Sequence, residues 1–149
     1  MRRSAIGARV SAALVGLLLS SAGPALSQDQ AAKDAALVLE LNGAQSSDKG
    51  CRLTFVVTND LGAELNRAAF EIALFNEVGV VDRLTVLDFN ELPAGKTKVV
   101  RFDLAGADCA KISRVLINHA TECAGPGVDP KACLSKLKPE TKSGIVFGM

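Results

Sequence analysis

Four cysteines carry the clearest chemistry in this sequence: Cys51, Cys109, Cys123 and Cys133. An even number of cysteines in an exported chain predicts disulfide bonds, and four cysteines allow three pairings. If successive strands reverse direction, Cys51 and Cys109 lie at one end of the domain, and Cys123 and Cys133 lie at the other. The sequence therefore predicts two disulfides, Cys51 to Cys109 and Cys123 to Cys133, the second of which closes a short loop.

Metal binding and redox catalysis are the alternative uses of these thiols. Such sites usually need a C-x-x-C pair or several histidines, and the chain has no C-x-x-C pair and a single histidine, His119. We therefore predict no metal site and no cofactor.

The supply of catalytic groups is equally limited. An acyl-transfer enzyme needs a nucleophile, a base and an orienting group, and no serine lies in a G-x-S-x-G turn. Paired carboxylates could hydrolyse glycosides, and Asp82, Asp88, Glu91 and Asp103 are the candidates. Sugar-binding sites usually expose aromatic platforms, however, and the chain contains no Trp and no Tyr. We predict that the protein is not an enzyme and has no catalytic residue.

Residues 1–27 have the composition of a cleavable signal peptide. They begin with Arg2 and Arg3, continue with an apolar run, and end with small residues at Ser27. This order predicts cleavage after Ser27, a flexible leader over residues 28–36, and release into the periplasm or the medium without stable membrane insertion. The Arg2-Arg3 pair permits the twin-arginine export route as well as the general secretory route.

The charge distribution argues against a nucleic-acid partner. The chain has 17 basic and 16 acidic side chains, and its formal charge of +1 becomes slightly negative without the arginines of the signal peptide. Nucleic-acid-binding proteins concentrate basic residues in a stripe, whereas here they are scattered along the mature chain. The densest cluster, within residues 131–142, is interrupted by Pro139 and Glu140, and we interpret it as a solvated face.

Alternation of apolar and polar residues with period two predicts an all-β domain. The clearest strand begins at Cys51, where Cys51, Leu53, Phe55 and Val57 share one face. Residues 61–74 have helical propensity, but the turn before them favours a strand from Arg67. The predicted strands are residues 37–42, 51–59, 67–76, 80–88, 96–104, 112–121 and 143–147.

The four runs from residue 51 to residue 104 are predicted to form consecutive hairpins, because Asn-, Gly- and Pro-rich turns separate them. Seven strands at this spacing predict an immunoglobulin-like antiparallel β-sandwich. Residues 37–149 would form this single domain.

Part of the chain also follows a known sequence pattern. The segments VTN (residues 57–59), FEIALFN (residues 70–76) and LPAGK (residues 92–96) resemble FxLYD-type domains, with Phe75-Asn76 where that family has Tyr-Asp. The resemblance implies an immunoglobulin-like module of a bacterial surface or exported protein. The whole chain also resembles small exported proteins of Gram-negative bacteria with twin-arginine-like signals.

These patterns favour a non-enzymatic periplasmic module that binds another protein of the cell envelope. The predicted contact is the final strand, with Ile145 and Phe147, because this strand is short, apolar and at a sheet edge. The sequence does not specify the oligomeric state or identify the partner.

The alternative function is a small periplasmic inhibitor or accessory factor that presents a loop to an enzyme. A disulfide from Cys123 to Cys133 would hold that loop in one conformation, which favours binding. The residues predicted at its tip are Gly125, Pro126 and Gly127.

Overall fold

The structure, a computed structural model, describes residues 34–149. The predicted signal peptide and residues 28–33 of the predicted leader lie outside this range. Ala36, the last residue of that leader, is buried and begins the first strand. No helix within the described range is long and apolar enough to cross a membrane.

Eight strands make up most of the described chain. A 3₁₀ turn, Cys109–Lys111, precedes the sixth strand, and a one-turn helix, α1 (Ala132–Ser135), precedes the seventh. The strands are β1 (Ala36–Ser47), β2 (Gly50–Asp60), β3 (Leu65–Phe75), β4 (Val81–Leu92), β5 (Thr97–Ala105), β6 (Arg114–Ala124), β7 (Leu137–Thr141) and β8 (Val146–Gly148).

Two four-stranded sheets enclose one apolar core. The first sheet has the strand order β5-β2-β1-β7, and the second has the order β4-β3-β6-β8. Four strand pairs are antiparallel, whereas β7 runs parallel to β1 and β8 runs parallel to β6. The predicted all-β sandwich is confirmed, with eight strands in place of about seven.

Period-two alternation positions the core residues in the two central strands. In β2, the side chains of Cys51, Leu53, Phe55 and Val57 are 0–1% exposed, as the sequence pattern predicts. Strand β3 forms although its residues also have helical propensity. Its inward side chains are Ala68, Phe70, Ile72 and Leu74.

Five of the six phenylalanines pack edge to face in the centre of the core. The ring centroid of Phe89 lies 5.0 Å from that of Phe102, 5.6 Å from that of Phe55 and 5.9 Å from that of Phe70. Phe147 contacts Phe55 at 5.6 Å. Such pairs each add roughly 0.5–1.5 kcal/mol beyond burial. Phe147 therefore ties the short strand β8 into the core.

Of the consecutive hairpins predicted between residues 51 and 104, β3–β4 is confirmed, and the hairpins predicted before it and after it are wrong. Only β1–β2 and β3–β4 are hairpins, and the chain crosses to the other sheet after β2 and after β4. Asn59, which is fully buried at the end of β2, directs the first crossing. Its Nδ2 donates to the carbonyls of Ala63 (2.9 Å) and Leu92 (2.8 Å), and its Oδ1 accepts from the Leu61 amide (3.1 Å).

Two departures from the predicted strands have identifiable causes. The sequence predicts that β1 ends before Gly43, but a bulge leaves Asn42 unpaired, Gly43 pairs with Thr54, and the strand continues to Ser47. Strand β7 was not predicted, because it contains Pro139. Proline is tolerated there because β7 is an edge strand of the first sheet.

The disulfides follow the predicted pairing. Cys51 of β2 is bonded to Cys109 in the 3₁₀ turn, with the Cα atoms 4.9 Å apart. Because this turn leads into β6, the bond ties the two sheets together at one end. Cys123 of β6 is bonded to Cys133 of α1 and closes the loop between them.

Candidate interaction surface

The outer face of the second sheet exposes a group of aliphatic side chains. Val81, Leu84 and Val86 of β4 and Val146 of β8 are 49–61% exposed. Scattered exposed aliphatic residues are ordinary, but a contiguous patch usually marks a contact surface. The name apolar stripe is used below for Phe75, Val81, Leu84, Val86, Leu116 and Val146.

Strand register makes the apolar stripe continuous. On the central strand β3, Phe75 lies opposite Val81, and Ala73 lies between Leu84 of β4 and Leu116 of β6. Side chains directly opposite each other in neighbouring strands are separated by about 4.5–5.5 Å at Cβ, so they touch. Ala73 is only 4% exposed although it faces outward, because larger neighbours shield it.

Arg114 of β6 marks one end of the stripe. Its guanidinium carbon lies 5.4 Å from the centroid of the Phe75 ring, and Val146 lies beside it on β8. The Nε of Arg114 is buried and has no hydrogen-bond partner within residues 34–149. A cation over an aromatic ring gains about 0.5–1 kcal/mol at an exposed site. This end of the stripe therefore carries a positive charge and an unsatisfied N–H group.

A cluster of carboxylates marks the other end. Arg67 donates from Nη2 to Asp88 Oδ2 at 2.6 Å, and its Nε lies 2.8 Å from Glu122 Oε2. The hydrogen bond from Arg67, together with the Asn90 amide, lowers the pKa of Asp88 below its ordinary value. Two carboxylates share one arginine here, so this end is net negative.

Glu71 adds a third carboxylate next to that cluster. The amide of Asn118 donates to Glu71 Oε1 at 2.6 Å, and His119 Nδ1 lies 3.4 Å from the same oxygen. The register of β3 and β6 shifts between Glu71 and Ile72, which turns both Asn118 and His119 toward Glu71. The only histidine of the sequence, which is half exposed, thus contacts a partly buried carboxylate on a sheet surface.

The structure does not bring the four candidate glycosidase carboxylates together as a catalytic pair. Asp88 contacts Arg67 on the second sheet, whereas Asp103 accepts two hydrogen bonds from Arg52 on the first sheet, at 2.9 and 3.1 Å. Asp82 lies at the start of β4 beside Arg83, and Glu91 lies at the end of that strand.

A cleft of about 460 Å³ lies beyond the positive end of the stripe, between the β3–β4 turn and the 3₁₀ turn. Asn76 shapes the β3–β4 turn, because its Oδ1 accepts from the amides of Val78 (3.1 Å) and Val80 (2.9 Å). Val78, at the tip, is 81% exposed. Charged residues of both signs line the cleft, among them Glu77, Asp82, Arg83, Asp108 and Lys111.

One side of the sandwich has protected edges. Lys98 of β5 donates from Nζ to the carbonyls of Phe89 (3.2 Å) and Glu91 (3.0 Å) of β4, and Arg83 of β4 donates to the carbonyl of Ala105 of β5 (2.8 Å). Because these side chains occupy backbone acceptors, they oppose the addition of another strand there. On the other side, the edges are β7 and β8.

The two predicted contact residues of the final strand point inward. Ile145 is 8% exposed and belongs to the core, and Phe147 packs on Phe55. Val146 is the residue of this segment that faces solvent, because side chains alternate along a strand. The segment that was predicted to make contact therefore contributes Val146 to the surface.

The predicted loop tip is exposed and well held. Pro126 and Gly127 face solvent, whereas Gly125 packs so closely on the backbone that a Cβ would lie 2.0 Å from the carbonyl oxygen of Glu64. The Asp129 side chain accepts from the Lys131 amide at 2.8 Å, and the disulfide between Cys123 and Cys133 closes the loop.

Sequence reasoning missed the apolar stripe, although the sequence contains its signal. In β4, apolar residues occupy both faces: Leu84 and Val86 point outward, and Leu87 and Phe89 point inward. A strand that is apolar on both faces indicates a second contact surface. No group of three or more metal-ligating side chains occurs within residues 34–149.

Comparison with protein-family models, with curated proteins and with solved structures finds no match for this chain.

Proposed function

We propose that this protein is a non-enzymatic interaction module of the bacterial cell envelope, and that it binds its partner through the apolar stripe. The observation that carries the proposal is the continuous row of half-exposed aliphatic side chains across the second sheet, bounded by charges at both ends. Burial of apolar surface stabilises an association by about 25 cal/mol per Å², and charged ends fix its orientation.

A periplasmic location fits this role. Two disulfides are typical of proteins that mature in an oxidising compartment. The predicted signal peptide, with its Arg2-Arg3 pair, would deliver the chain there by the general secretory or the twin-arginine route.

An immunoglobulin-like fold of the FxLYD type is part of the proposal. The chain passes repeatedly between a sheet of order β5-β2-β1 and a sheet of order β4-β3-β6, which is typical of immunoglobulin-like sandwiches. The parallel strands β7 and β8 are additions to that plan.

Capture of envelope proteins tests the proposal. The full-length chain is expressed, purified from the periplasm with its disulfides intact, and immobilised. We expect Leu84→Lys/Val86→Lys to abolish capture of a specific envelope protein. Val99→Lys is the matched control, because Val99 is 59% exposed on β5 of the first sheet. Equal capture by wild type and the stripe variant, with circular dichroism unchanged, would overturn the proposal.

A second function has one specific observation in its favour. The loop tip at Pro126 and Gly127 is exposed on a backbone that a disulfide and the Gly125–Glu64 contact hold in place, and inhibitors present such preorganised loops. Deletion of residues 126–128 would abolish partner binding if the loop makes the contact, and would spare it if the stripe does. Loss of binding in the deletion variant, with binding retained in Leu84→Lys/Val86→Lys, would favour the inhibitor or accessory role.

A further inference from the structure

We propose that the partner of the apolar stripe is a second copy of this chain, packed face to face with its strands antiparallel to those of the first copy. This inference rests on the proposed function, because it names the occupant of the same surface. The charges at the two ends of the stripe favour this partner.

The two ends carry opposite charge. Arg114 lies at the Phe75 end with a buried Nε that no described residue accepts from, and the neighbouring Asp82 is within 3.5 Å of Arg83. At the other end, the two carboxylates of Asp88 and Glu122 contact a single arginine, Arg67. Glu71 lies in the next row, where it contacts Asn118 and His119. A surface of this kind is complementary to itself when one copy is reversed.

Symmetry selects the antiparallel arrangement. In a two-fold interface, residue i of one copy contacts residue j of the other, and j contacts i. Parallel stacking would place Arg114 against Arg114 and carboxylates against carboxylates. Antiparallel stacking places each Arg114 near Glu122 of the other copy, and both lie on β6. The rows of Leu84 and Val86 lie between these two ends, so Leu84 of one copy would then pack near Val86 of the other.

The size of the face predicts a weak dimer. Strands lie about 4.8 Å apart and outward residues recur about every 6.8 Å, so four strands and four rows cover roughly 500 Å² per copy. About 1,000 Å² in total is at the low end for specific interfaces, which corresponds to transient association. We therefore expect micromolar affinity and dimers only at raised concentration.

Sedimentation equilibrium of the purified disulfide-intact protein, alone in solution up to about 200 µM, tests the proposal. We expect the wild type and Val99→Lys to approach twice the monomer mass, and Leu84→Lys to remain monomeric at every concentration. A wild type that stays monomeric while the stripe still captures an envelope protein would overturn the second-copy proposal and leave the proposed function standing. A dimer that persists in Leu84→Lys would overturn it as well.

A charge exchange tests the orientation separately. Arg114→Glu and Glu122→Arg are each expected to raise the dimer dissociation constant about tenfold, because each places like charges together. The double variant Arg114→Glu/Glu122→Arg is expected to return it to within about threefold of wild type, since the pairing is restored with its sign reversed. Circular dichroism confirms that each variant is folded. A dimer dissociation constant of the double variant that is at least as high as those of the single variants would exclude the antiparallel pairing.

Discussion

The outer faces of the two sheets differ in how many polar groups are hydrogen-bonded within the chain and in how much apolar surface is exposed. On the first sheet, Arg52 forms two hydrogen bonds with Asp103, and the hydroxyls of Thr58 and Thr97 are 2.9 Å apart. Val99 is the one large apolar side chain there, within the described residues, that is strongly exposed. The second sheet exposes the apolar stripe, and the Nε of Arg114 has no hydrogen-bond partner among residues 34–149.

This difference separates folding from recognition. Both sheets bury the same kind of inner face, so both are equally suited to form the core. The first sheet completes its polar contacts within the chain, whereas the second leaves apolar surface and charge at its outer face. The surface with uncompleted contacts is the one that gains from a partner.

The largest expected effect comes from cutting the covalent tie between the sheets. Replacing Cys51 and Cys109 with Ala is expected to lower the unfolding free energy by about 4 kcal/mol, because the bond closes a loop of 58 residues. The same change at Cys123 and Cys133, which are separated by 10 residues, is expected to cost about 3 kcal/mol. Urea denaturation measures both losses. A larger loss for the second pair would contradict the prediction that the Cys51–Cys109 bond stabilises the fold more.

The next effect comes from Asn59, which links the end of the first sheet to β4 of the second. Asn59→Leu is expected to lower the unfolding free energy by roughly 3 kcal/mol, since it leaves the carbonyls of Ala63 and Leu92 buried without their donor. Asn66→Leu, on an exposed position of β3, is the control and should change stability by less than about 0.5 kcal/mol. Thermal denaturation compares the two, and similar losses would contradict the prediction.

Acid is expected to weaken the ion pairs of both outer faces. A hydrogen bond from Arg52 lowers the pKa of Asp103, and one from Arg67 lowers the pKa of Asp88. Hydrogen bonds from Asn42, the larger cause, and from Lys142 lower the pKa of Glu40. A carboxyl with a lowered folded-state pKa stabilises the fold above its unfolded pKa of about 4, and this contribution is lost as the pH falls through the folded value.

Unfolding measured by urea between pH 7 and pH 2 tests this sign. The unfolding free energy should fall on acidification below about pH 4. Arg52→Met, on the first sheet, and Arg67→Met, on the second, should each reduce the slope of that fall, because each removes the donor that lowers one carboxyl pKa. A slope that neither substitution changes would show that other carboxylates dominate acid unfolding.

The smallest expected effect on stability comes from lysine on either outer face. Leu84→Lys and Val99→Lys are each expected to change the unfolding free energy by less than about 0.5 kcal/mol, because both side chains are more than half exposed. The two variants should differ in association and agree in monomer stability. Chemical denaturation at a concentration below dimerisation measures this, and a loss above about 1.5 kcal/mol in Leu84→Lys alone would mean that Leu84 serves the fold.

The sequence predicted two properties of the fold: the inward faces of the central strands and the disulfide partners. The inward faces of β2 and β3, from Leu53 to Leu74, follow from period two, and the disulfide partners follow from which strand ends meet. These properties depend on local pattern and on counting. They do not require knowledge of which sheet receives each strand.

The remaining features depend on tertiary contacts that have no local signature. The crossing after β2 depends on Asn59 reaching Leu92, 33 residues away, and β7 depends on Pro139 lying at a sheet edge. The inward orientation of Ile145 follows from the turn before β8, where Thr141 donates to the Ile145 carbonyl at 3.1 Å. The sequence therefore predicted contact through Ile145 and Phe147, whereas both side chains pack in the core and Val146 faces solvent.

The parallel pairing of β1 with β7 also bears on how the chain folds. The Lys142 amide donates to the carbonyl of Leu41 at 2.9 Å, and β8 joins the second sheet at Val146–Gly148. Contacts between residues so distant in sequence slow folding, because the entropy of loop closure is lost before the contacts form. We expect neither sheet to be complete before residues 137–148 are available, so a variant that lacks β7 and β8 would have two open sheet edges and would be prone to aggregation.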